Sequence, residues 1–186
     1  MTAHFRIDPA SGLMEPARMC MSPNCDDRPD GADPELLVIH GISLPPGEFG
    51  GPEIEQLFTN SLDWNAHPYF EQIRGLEVSS HLLVRRDGEV VQFVPFTRRA
   101  WHAGESFFRG RDCCNDFSIG IELEGDDETP YTDAQYAALI GVIRAIAKAY
   151  PDITGREIAA HSDIAPGRKT DPGPAFDWLR LYDGIC

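Results

Sequence analysis

The stretch 161–174, close to the C-terminus, constrains the fold and the function of this chain more than any other. It reads HSDIAPGRKTDPGP, and its three prolines lack backbone donors, which interrupts both helices and inner strands. The composition therefore predicts a long, rigid surface loop, the kind of segment that often carries chemistry. Two Pro-Gly pairs would let the loop fold back, which would bring His161 and Asp171 to one site. The alternative from composition alone is a polar loop that only caps a core strand.

Length and charge set the class of protein. A chain of 186 residues is most simply one domain with a sizeable core. We expect an irregular N-terminal arm over 1–34, followed by the domain proper over 35–186. With 16 basic against 30 acidic residues the net charge is −14, which argues against a nucleic-acid or anionic-membrane partner.

The cysteines and the N-terminus indicate the compartment. The five cysteines are an odd number without a C-x-x-C pair, which favours free thiols in a reducing cytosol over a zinc ribbon. The first twenty residues contain no apolar stretch typical of a secretory signal, and the most apolar predicted helix is interrupted by charges and cannot cross a bilayer. We therefore expect a cytoplasmic protein without a membrane partner.

Hydrophobic patterns predict an α/β fold. The apolar run Leu36–Ile39 is typical of a strand buried on both faces and ends at His40, while alternation over 117–124 predicts a strand with Glu122 and Glu124 on one face. The remaining predicted elements are a β-hairpin over 78–94, a helix from the capping box at Thr132 to about Tyr150, a strand over 157–160, short helices over about 52–60 and 175–181, and a long loop over 61–75. Together they predict a central, mixed β-sheet flanked by helices in a single domain.

Two of the predicted strands each lead into a histidine, His40 and His161. Ligand sites in α/β sheets gather beyond the carboxyl ends of strands. Neighbouring strands would therefore put the two imidazoles side by side, with Asp171 returning as a third ligand. Two histidines, one carboxylate and an open fourth position form a catalytic zinc arrangement. A hydrogen-bonded core residue is the alternative for either histidine taken alone.

Hydrolysis at such a metal also needs a proton acceptor and a cation near the developing oxyanion. Glu122 is the candidate base, because partial burial on an apolar strand would raise its pKa. Glu124 faces the same side and stays a second candidate. Lys169, two residues before Asp171, is the candidate cation, and the alternative is a solvated loop lysine.

Long, ordered motifs cover about Ser22 to Trp178. They are LLVIHGISLPPGEFG, HPYFEQIRGLEVSSHLLVRRDGEVVQFVPF, RAWHAGES, CNDFSIGIELEG, PYTDAQYAAL and HSDIAPGRKTDPGPAFDW. Together they resemble the zinc-dependent N-acetylmuramyl-L-alanine amidases, most closely the cytosolic AmpD-type enzymes that recycle anhydromuropeptides. The chain is more distantly similar to phage lysozyme-type amidases and peptidoglycan recognition proteins.

The resemblance implies a fold, a reaction and a site. The implied fold is a central mixed sheet with Zn²⁺ in a surface groove. The implied reaction is hydrolysis of the amide between the lactyl group of anhydro-N-acetylmuramic acid and L-alanine, on a small muropeptide substrate. The implied site residues are the zinc ligands His40, His161 and Asp171, the acid/base residue Glu122, the oxyanion-side cation Lys169, and Tyr69, Trp101 and His102 as substrate contacts or as a second layer around the metal.

The chain departs from the family pattern at Gly41, Glu77 and Cys113. Relatives often carry Asn at the first position and Arg at or beside the other two. Side chains there would be expected to touch the sugar or the carboxylates of the stem peptide, so the three departures bear on the preference for the anhydro sugar.

Three other functions are compatible with parts of the pattern. A muropeptide-binding module would be expected to lack a metal ligand or the base, and this chain has both. A non-haem iron oxygenase would use His161 and Asp163 as an H-x-D pair, but such enzymes usually place a further histidine later, and none follows here. A periplasmic amidase acting on intact cell wall is disfavoured by the N-terminal sequence.

Overall fold

The central element is a six-stranded β-sheet in the computed structural model, which describes residues 4–186. The strands are β1 (Arg6–Asp8), β2 (Leu13–Glu15), β3 (Arg18–Met19), β4 (Cys25–Asp27), β5 (Leu36–Ile42), β6 (Leu82–Val84), β7 (Val90–Gln92), β8 (Arg98–Ala100), β9 (Phe107–Phe108), β10 (Arg111–Asp112), β11 (Ser118–Glu124) and β12 (Ile158–Ala160). The helices are α1 (Glu53–Phe58), α2 (Pro68–Gln72), α3 (Asp133–Ala149), α4 (His161–Ile164) and α5 (Trp178–Ile185).

The central sheet is mixed, as predicted. Its order is β12-β5-β11-β6-β7-β3. The first four strands run parallel, β7 is antiparallel to β6, and β3 is parallel to β7. The α/β class is therefore confirmed, and so is the predicted hairpin, which β6 and β7 form.

Strand β5 is longer than predicted. Its first four residues, Leu36–Ile39, are fully buried, in line with an inner parallel strand covered on both faces. The strand was expected to end at His40, which is wrong. Gly41 and Ile42 continue the parallel ladder opposite Leu123 and Glu124 of β11, so His40 lies within the strand.

Alternation along β11 separates the two faces of the sheet. Ile119, Ile121 and Leu123 belong to the core cluster that also contains the buried residues of α3, while Glu122 and Glu124 lie on the opposite face. The capping box at the start of α3 is confirmed. The Thr132 hydroxyl accepts from the Gln135 amide (3.1 Å), and the Gln135 side chain accepts from the Thr132 amide (3.0 Å).

The N-terminal segment is not irregular, which corrects the prediction for 1–34. Within its described part, β1 and β2 form a hairpin, β3 adds an edge strand to the central sheet, and β4 pairs with β8. Buried Arg28 anchors the segment. Its guanidinium donates to the carbonyl oxygens of Phe96, Asn115, Asp116 and Ser118. The expected division at residue 34 stays a prediction.

Three helices also differ from expectation. The predicted loop 61–75 contains α2. The His67 ring caps this helix, because it accepts a hydrogen bond from the backbone amide of Tyr69. The first four residues of 161–174 form α4, because the prolines begin only at Pro166. The last helix begins at Trp178, where the Asp177 side chain accepts from the backbone amide of Arg180. Within the described residues no helix has the length and apolar character needed to cross a membrane.

Glu124 links the sheet to the loop after β5, which gives a first prediction. Its buried carboxylate bonds to the Arg85 guanidinium (3.1 Å) and to the backbone amides of Gly50 (2.6 Å) and Arg86 (3.0 Å). Glu124→Gln leaves part of the Arg85 charge without its partner and should cost about 3 kcal/mol of unfolding free energy. Urea denaturation measures this.

Glu15→Gln is the matched control, because Glu15 forms an exposed ion pair with Arg6. Its unfolding free energy should change by less than about 0.5 kcal/mol. Equal effects of the two substitutions would contradict a structural role for the Glu124 carboxylate.

Candidate metal centre

His40, His161 and Asp171 come together at one point on the sheet. Strand β12 lies next to β5, and Ala160 pairs with Ile39. His161 follows Ala160 and His40 follows Ile39, so the two histidines lie close together. The distance between the two Nδ1 atoms is 2.9 Å. The Asp171 Oδ2 atom lies 3.0 Å from Nδ1 of His161 and 3.4 Å from Nδ1 of His40. The prediction that the strands leading to the two histidines are neighbours in the sheet is confirmed.

The loop after α4 returns Asp171 to this point. The backbone carbonyl of Asp171 accepts from the amide of Ser162 (3.1 Å). The next carbonyl, that of Pro172, accepts from the Tyr131 hydroxyl (3.0 Å). A side chain at Gly41 would collide with that hydroxyl, which explains why glycine stands beside the first histidine of this chain.

The three donor groups fit a metal such as zinc. Burial lowers the pKa of His40 to about 4, so its imidazole is neutral at pH 7. Burial acts to raise the pKa of Asp171, but hydrogen bonds to His161 and His40 outweigh it and hold that pKa below its ordinary value. Two imidazole nitrogens and one carboxylate oxygen, all within 4.8 Å of one another, are the donors that zinc prefers.

Glu122 lies directly beside this cluster. It is opposite His40 in the β5–β11 ladder, and its Oε1 atom is 3.9 Å from Nδ1 of His40. Burial, followed by the charge of Asp171, raises the pKa of Glu122 well above 4.5. Its Oε2 atom is buried and has no hydrogen-bond partner among residues 4–186. This carboxyl group is therefore free to exchange a proton.

Glu124 differs from Glu122 in its partners. Both oxygens of Glu124 are bonded, to Arg85 and to backbone amides. Alternation along a strand could not separate the two glutamates, and the contacts separate them clearly.

The cluster opens into a groove of about 510 Å³. Tyr69, Trp101, His102 and the exposed Lys169 line it together with His161, Asp171 and Glu122. One wall is apolar and consists of Leu44, Leu57, Phe58, Ile73, Leu76 and Val78. All of the metal ligands, base candidates, cation and substrate contacts expected from the sequence thus line one groove, apart from His40 and Glu124, which are buried.

The departures from the family pattern divide into two groups. Gly41 and Glu77 line the groove, while Cys113 is exposed and does not line it. Two polar residues of the site region had no signal in the sequence. The Arg168 guanidinium donates to the carbonyl oxygens of Ala103 and Glu105, 2.6 Å each, and the side chain of Asn115 bonds to the backbone next to the histidines.

The chain is similar to known amidases over nearly its whole length. The family described as N-acetylmuramoyl-L-alanine amidase matches residues 30–174. The 1,6-anhydro-N-acetylmuramyl-L-alanine amidase AmpD of Escherichia coli strain K12 is 61% identical over 170 residues, which cover 91% of this chain and 92% of that protein.

Two solved structures extend the similarity to the fold. A crystal structure of a selenomethionine derivative of AmpD has a TM-score of 0.94 and 57% identity, and the match covers 97% of this chain and 99% of the other. A complex of the N-acetylmuramyl-L-alanine amidase AmiD from E. coli with the substrate anhydro-N-acetylmuramic acid-L-Ala-D-gamma-Glu-L-Lys has a TM-score of 0.60 and 30% identity, with 97% of this chain and 65% of the other covered.

The raised pKa of Glu122 leads to a prediction for the metal-free protein. A raised folded-state pKa means that the native state holds the proton more tightly than the unfolded chain. That contribution to stability is present below the ordinary value of 4.5 and is lost as the pH rises towards the folded-state pKa,. Glu122→Gln removes the cost of burying an ionised carboxylate. The variant should therefore be more stable than the wild type at about pH 8, and the difference should shrink towards about pH 4.5.

Thermal unfolding with a chelator present, over this pH range, measures the difference. Glu48→Gln is the control, because Glu48 is exposed and its substitution should leave the pH profile unchanged. A pH-independent difference between Glu122→Gln and the wild type would contradict the raised pKa.

Proposed function

The chain belongs to the N-acetylmuramoyl-L-alanine amidase family, and from this premise we propose that it is a zinc hydrolase specific for 1,6-anhydro-N-acetylmuramyl-L-alanine muropeptides. As a member of that family it cleaves the amide bond between the muramyl group and L-alanine. The observation that carries the metal-dependent mechanism is the convergence of three donor atoms beside a buried carboxyl group that has a free oxygen.

Zinc is proposed as the metal, held by Nδ1 of His40, Nδ1 of His161 and Oδ2 of Asp171. When bound, it supplies Lewis acidity that favours ionisation of a water molecule and polarises the substrate carbonyl. Both imidazoles are buried, as is most of the Asp171 carboxylate, so the donor set needs little rearrangement to hold an ion.

Glu122 is proposed as the proton carrier. Its carboxylate accepts the proton of the attacking water and delivers it to the nitrogen of L-alanine as the amide bond breaks. Burial and the neighbouring charge of Asp171 raise its pKa well above 4.5, which strengthens it as a base for the proton that it later donates. Glu124 is unsuited to this role, because both of its oxygens already have partners.

Lys169 is proposed as the cation beside the oxyanion. It lines the groove two residues before Asp171 and is exposed towards it. An ammonium group in this place stabilises the negative charge that develops on the carbonyl oxygen. Tyr69 and Trp101, which line the same groove, are proposed as contacts of the sugar or the peptide.

The anhydro preference and the cytoplasm complete the proposal. The preference rests on the similarity to an enzyme named for the 1,6-anhydro substrate, 61% identical to this chain. A cytoplasmic location is proposed because the five cysteines are free and thiols persist in a reducing compartment. Cell fractionation tests the location, and recovery of the protein outside the cytoplasm would contradict it.

Product analysis tests the substrate. We expect the purified protein with zinc to release free peptide from anhydro-N-acetylmuramyl-tripeptide and little from the same muropeptide without the anhydro ring. Mass spectrometry measures both products. Equal cleavage of the two would keep the amidase and remove the anhydro preference, and cleavage of neither by the zinc-loaded protein would contradict the proposal.

Variants test the roles of the site residues. His161→Ala should lose the metal. Glu122→Gln and Lys169→Met should keep stoichiometric zinc. Their kcat should fall about 10²–10⁴-fold for Glu122→Gln and about 10²–10³-fold for Lys169→Met. Lys148→Met, on α3, is the matched control for Lys169→Met and should keep wild-type kcat. Elemental analysis and steady-state kinetics are the measurements. Zinc retained by His161→Ala, or iron in place of zinc in the wild type, would contradict the proposed centre.

A further inference from the structure

The segment His102–Ala103 lies directly behind both candidate metal-binding histidines. We propose that this segment, held in place by Asn115, is the positioning device that decides which ring nitrogen His40 and His161 present to the metal. The inference rests on the metal centre proposed above. It gives His102 a positioning role in place of a contact with substrate.

The chemistry of imidazole makes such a device necessary. A neutral ring carries one proton, so a ring that binds a metal through Nδ1 must keep its proton on Nε2. That proton needs an acceptor, because an unpaired buried N–H costs free energy. The two Nδ1 atoms converge on Asp171, so the acceptors have to lie on the far side of each ring.

Both acceptors are present on that far side. Nε2 of His40 lies 2.9 Å from Nδ1 of His102, and Nε2 of His161 lies 3.3 Å from the carbonyl oxygen of Ala103. A carbonyl oxygen can only accept, so it receives the proton of His161 on Nε2 when a metal, and not a proton shared with Asp171, occupies Nδ1. His102 can accept at Nδ1 only if its own proton is on Nε2.

Ser118 offers an acceptor for a proton on that atom. The Ser118 hydroxyl lies 3.0 Å from Nε2 of His102, and a proton donated there to the hydroxyl oxygen leaves Nδ1 of the ring to accept from His40. The ring sits against Gly120, where an added Cβ would lie 2.5 Å from the nearest ring carbon. Strand β11 therefore provides the hydrogen-bond partner of His102, which is Ser118, and the space for its ring at Gly120.

One amide oxygen holds the whole segment. Oδ1 of Asn115 accepts from the backbone amides of His102 (3.1 Å) and Ala103 (2.8 Å). The Ala103 carbonyl also accepts from Arg168 (2.6 Å), which ties the segment to the loop that carries Lys169 and Asp171. Because both ring nitrogens of His102 are already used, the ring has no free nitrogen to form a hydrogen bond with a substrate.

Proton positions on the imidazoles test this inference without any substitution. Nitrogen-15 NMR of the zinc-loaded wild type should show His40 and His161 with zinc on Nδ1 and a proton on Nε2, and His102 protonated on Nε2. Zinc on Nε2 of either histidine, or His102 protonated on Nδ1, would overturn the inference. A wild type that binds no zinc would overturn the proposed function and this inference with it.

Zinc affinity of four variants gives an independent test. His102→Leu and Ser118→Ala should weaken zinc binding about 10–100-fold, whereas His102→Asn, which keeps an acceptor near the position of Nδ1, should recover part of the loss. Ser22→Ala is the control, because it removes a buried hydroxyl that donates to the backbone carbonyl of Phe58 and bonds to none of the metal ligands or of the residues that hold them. Competition with a chelator, on protein shown to be folded by circular dichroism, measures the affinities.

The pattern across the variants decides the outcome. Equal zinc affinity in the wild type, His102→Leu and Ser118→Ala would overturn the inference. Equal weakening by Ser118→Ala and Ser22→Ala would also overturn it, since it would reduce the effect to general stability. If His102→Leu does not fold, Ser118→Ala and the proton positions in the wild type decide.

Discussion

The parallel register of β5 and β11 is the constraint on which the rest of the site depends. It puts His40 directly opposite Glu122, and parallel neighbours in a sheet are separated by about 4.8 Å. The proposed metal ligand and the proposed proton carrier are thereby held next to each other by the backbone hydrogen bonds of the ladder. Every other part of the site approaches this pair from outside: α4 brings His161, the following loop brings Asp171, and the segment after β8 brings His102.

The same arrangement places polar groups where the fold would gain more from apolar ones. His40, Glu122 and His161 are all buried, and a buried carboxyl group without a full set of partners is unfavourable. Two apolar clusters on opposite faces of the sheet offset this cost, one under α3 and one around α1. The site therefore exchanges local stability for function, which is a common trade in enzymes.

Local patterns predicted those parts of the molecule that local interactions determine. The alternation in β11, the capping box of α3 and the hairpin of β6 and β7 depend on residues close in sequence, and they were recognised. Strands β3 and β4 have only two or three residues, and their partners lie far along the chain, so no local pattern marked them. The one-turn helix α4 was missed because the prolines of its stretch dominated the composition.

The site shows the same division between features set by local sequence and features set by distant residues. The predicted strand ends pointed to His40 and His161, although His40 lies within β5, and the resemblance to a family assigned the roles. The sequence could not separate Glu122 from Glu124, because both face the same side. The difference comes from Arg85 and two backbone amides that arrive from other segments. The position of His102 likewise depends on Asn115 and Ser118, more than ten residues away.

The N-terminal strands have a consequence for the synthesis of the protein on the ribosome. Arg18, in β3, bonds to Glu89, 71 residues later, and Asp26, in β4, bonds to Arg99, 73 residues later. At roughly 5–20 residues per second of translation, β3 and β4 wait for several seconds before their partners exist. During that interval the nascent chain carries unpaired strand edges, and these two strands pair only when β7 and β8 have left the exit tunnel.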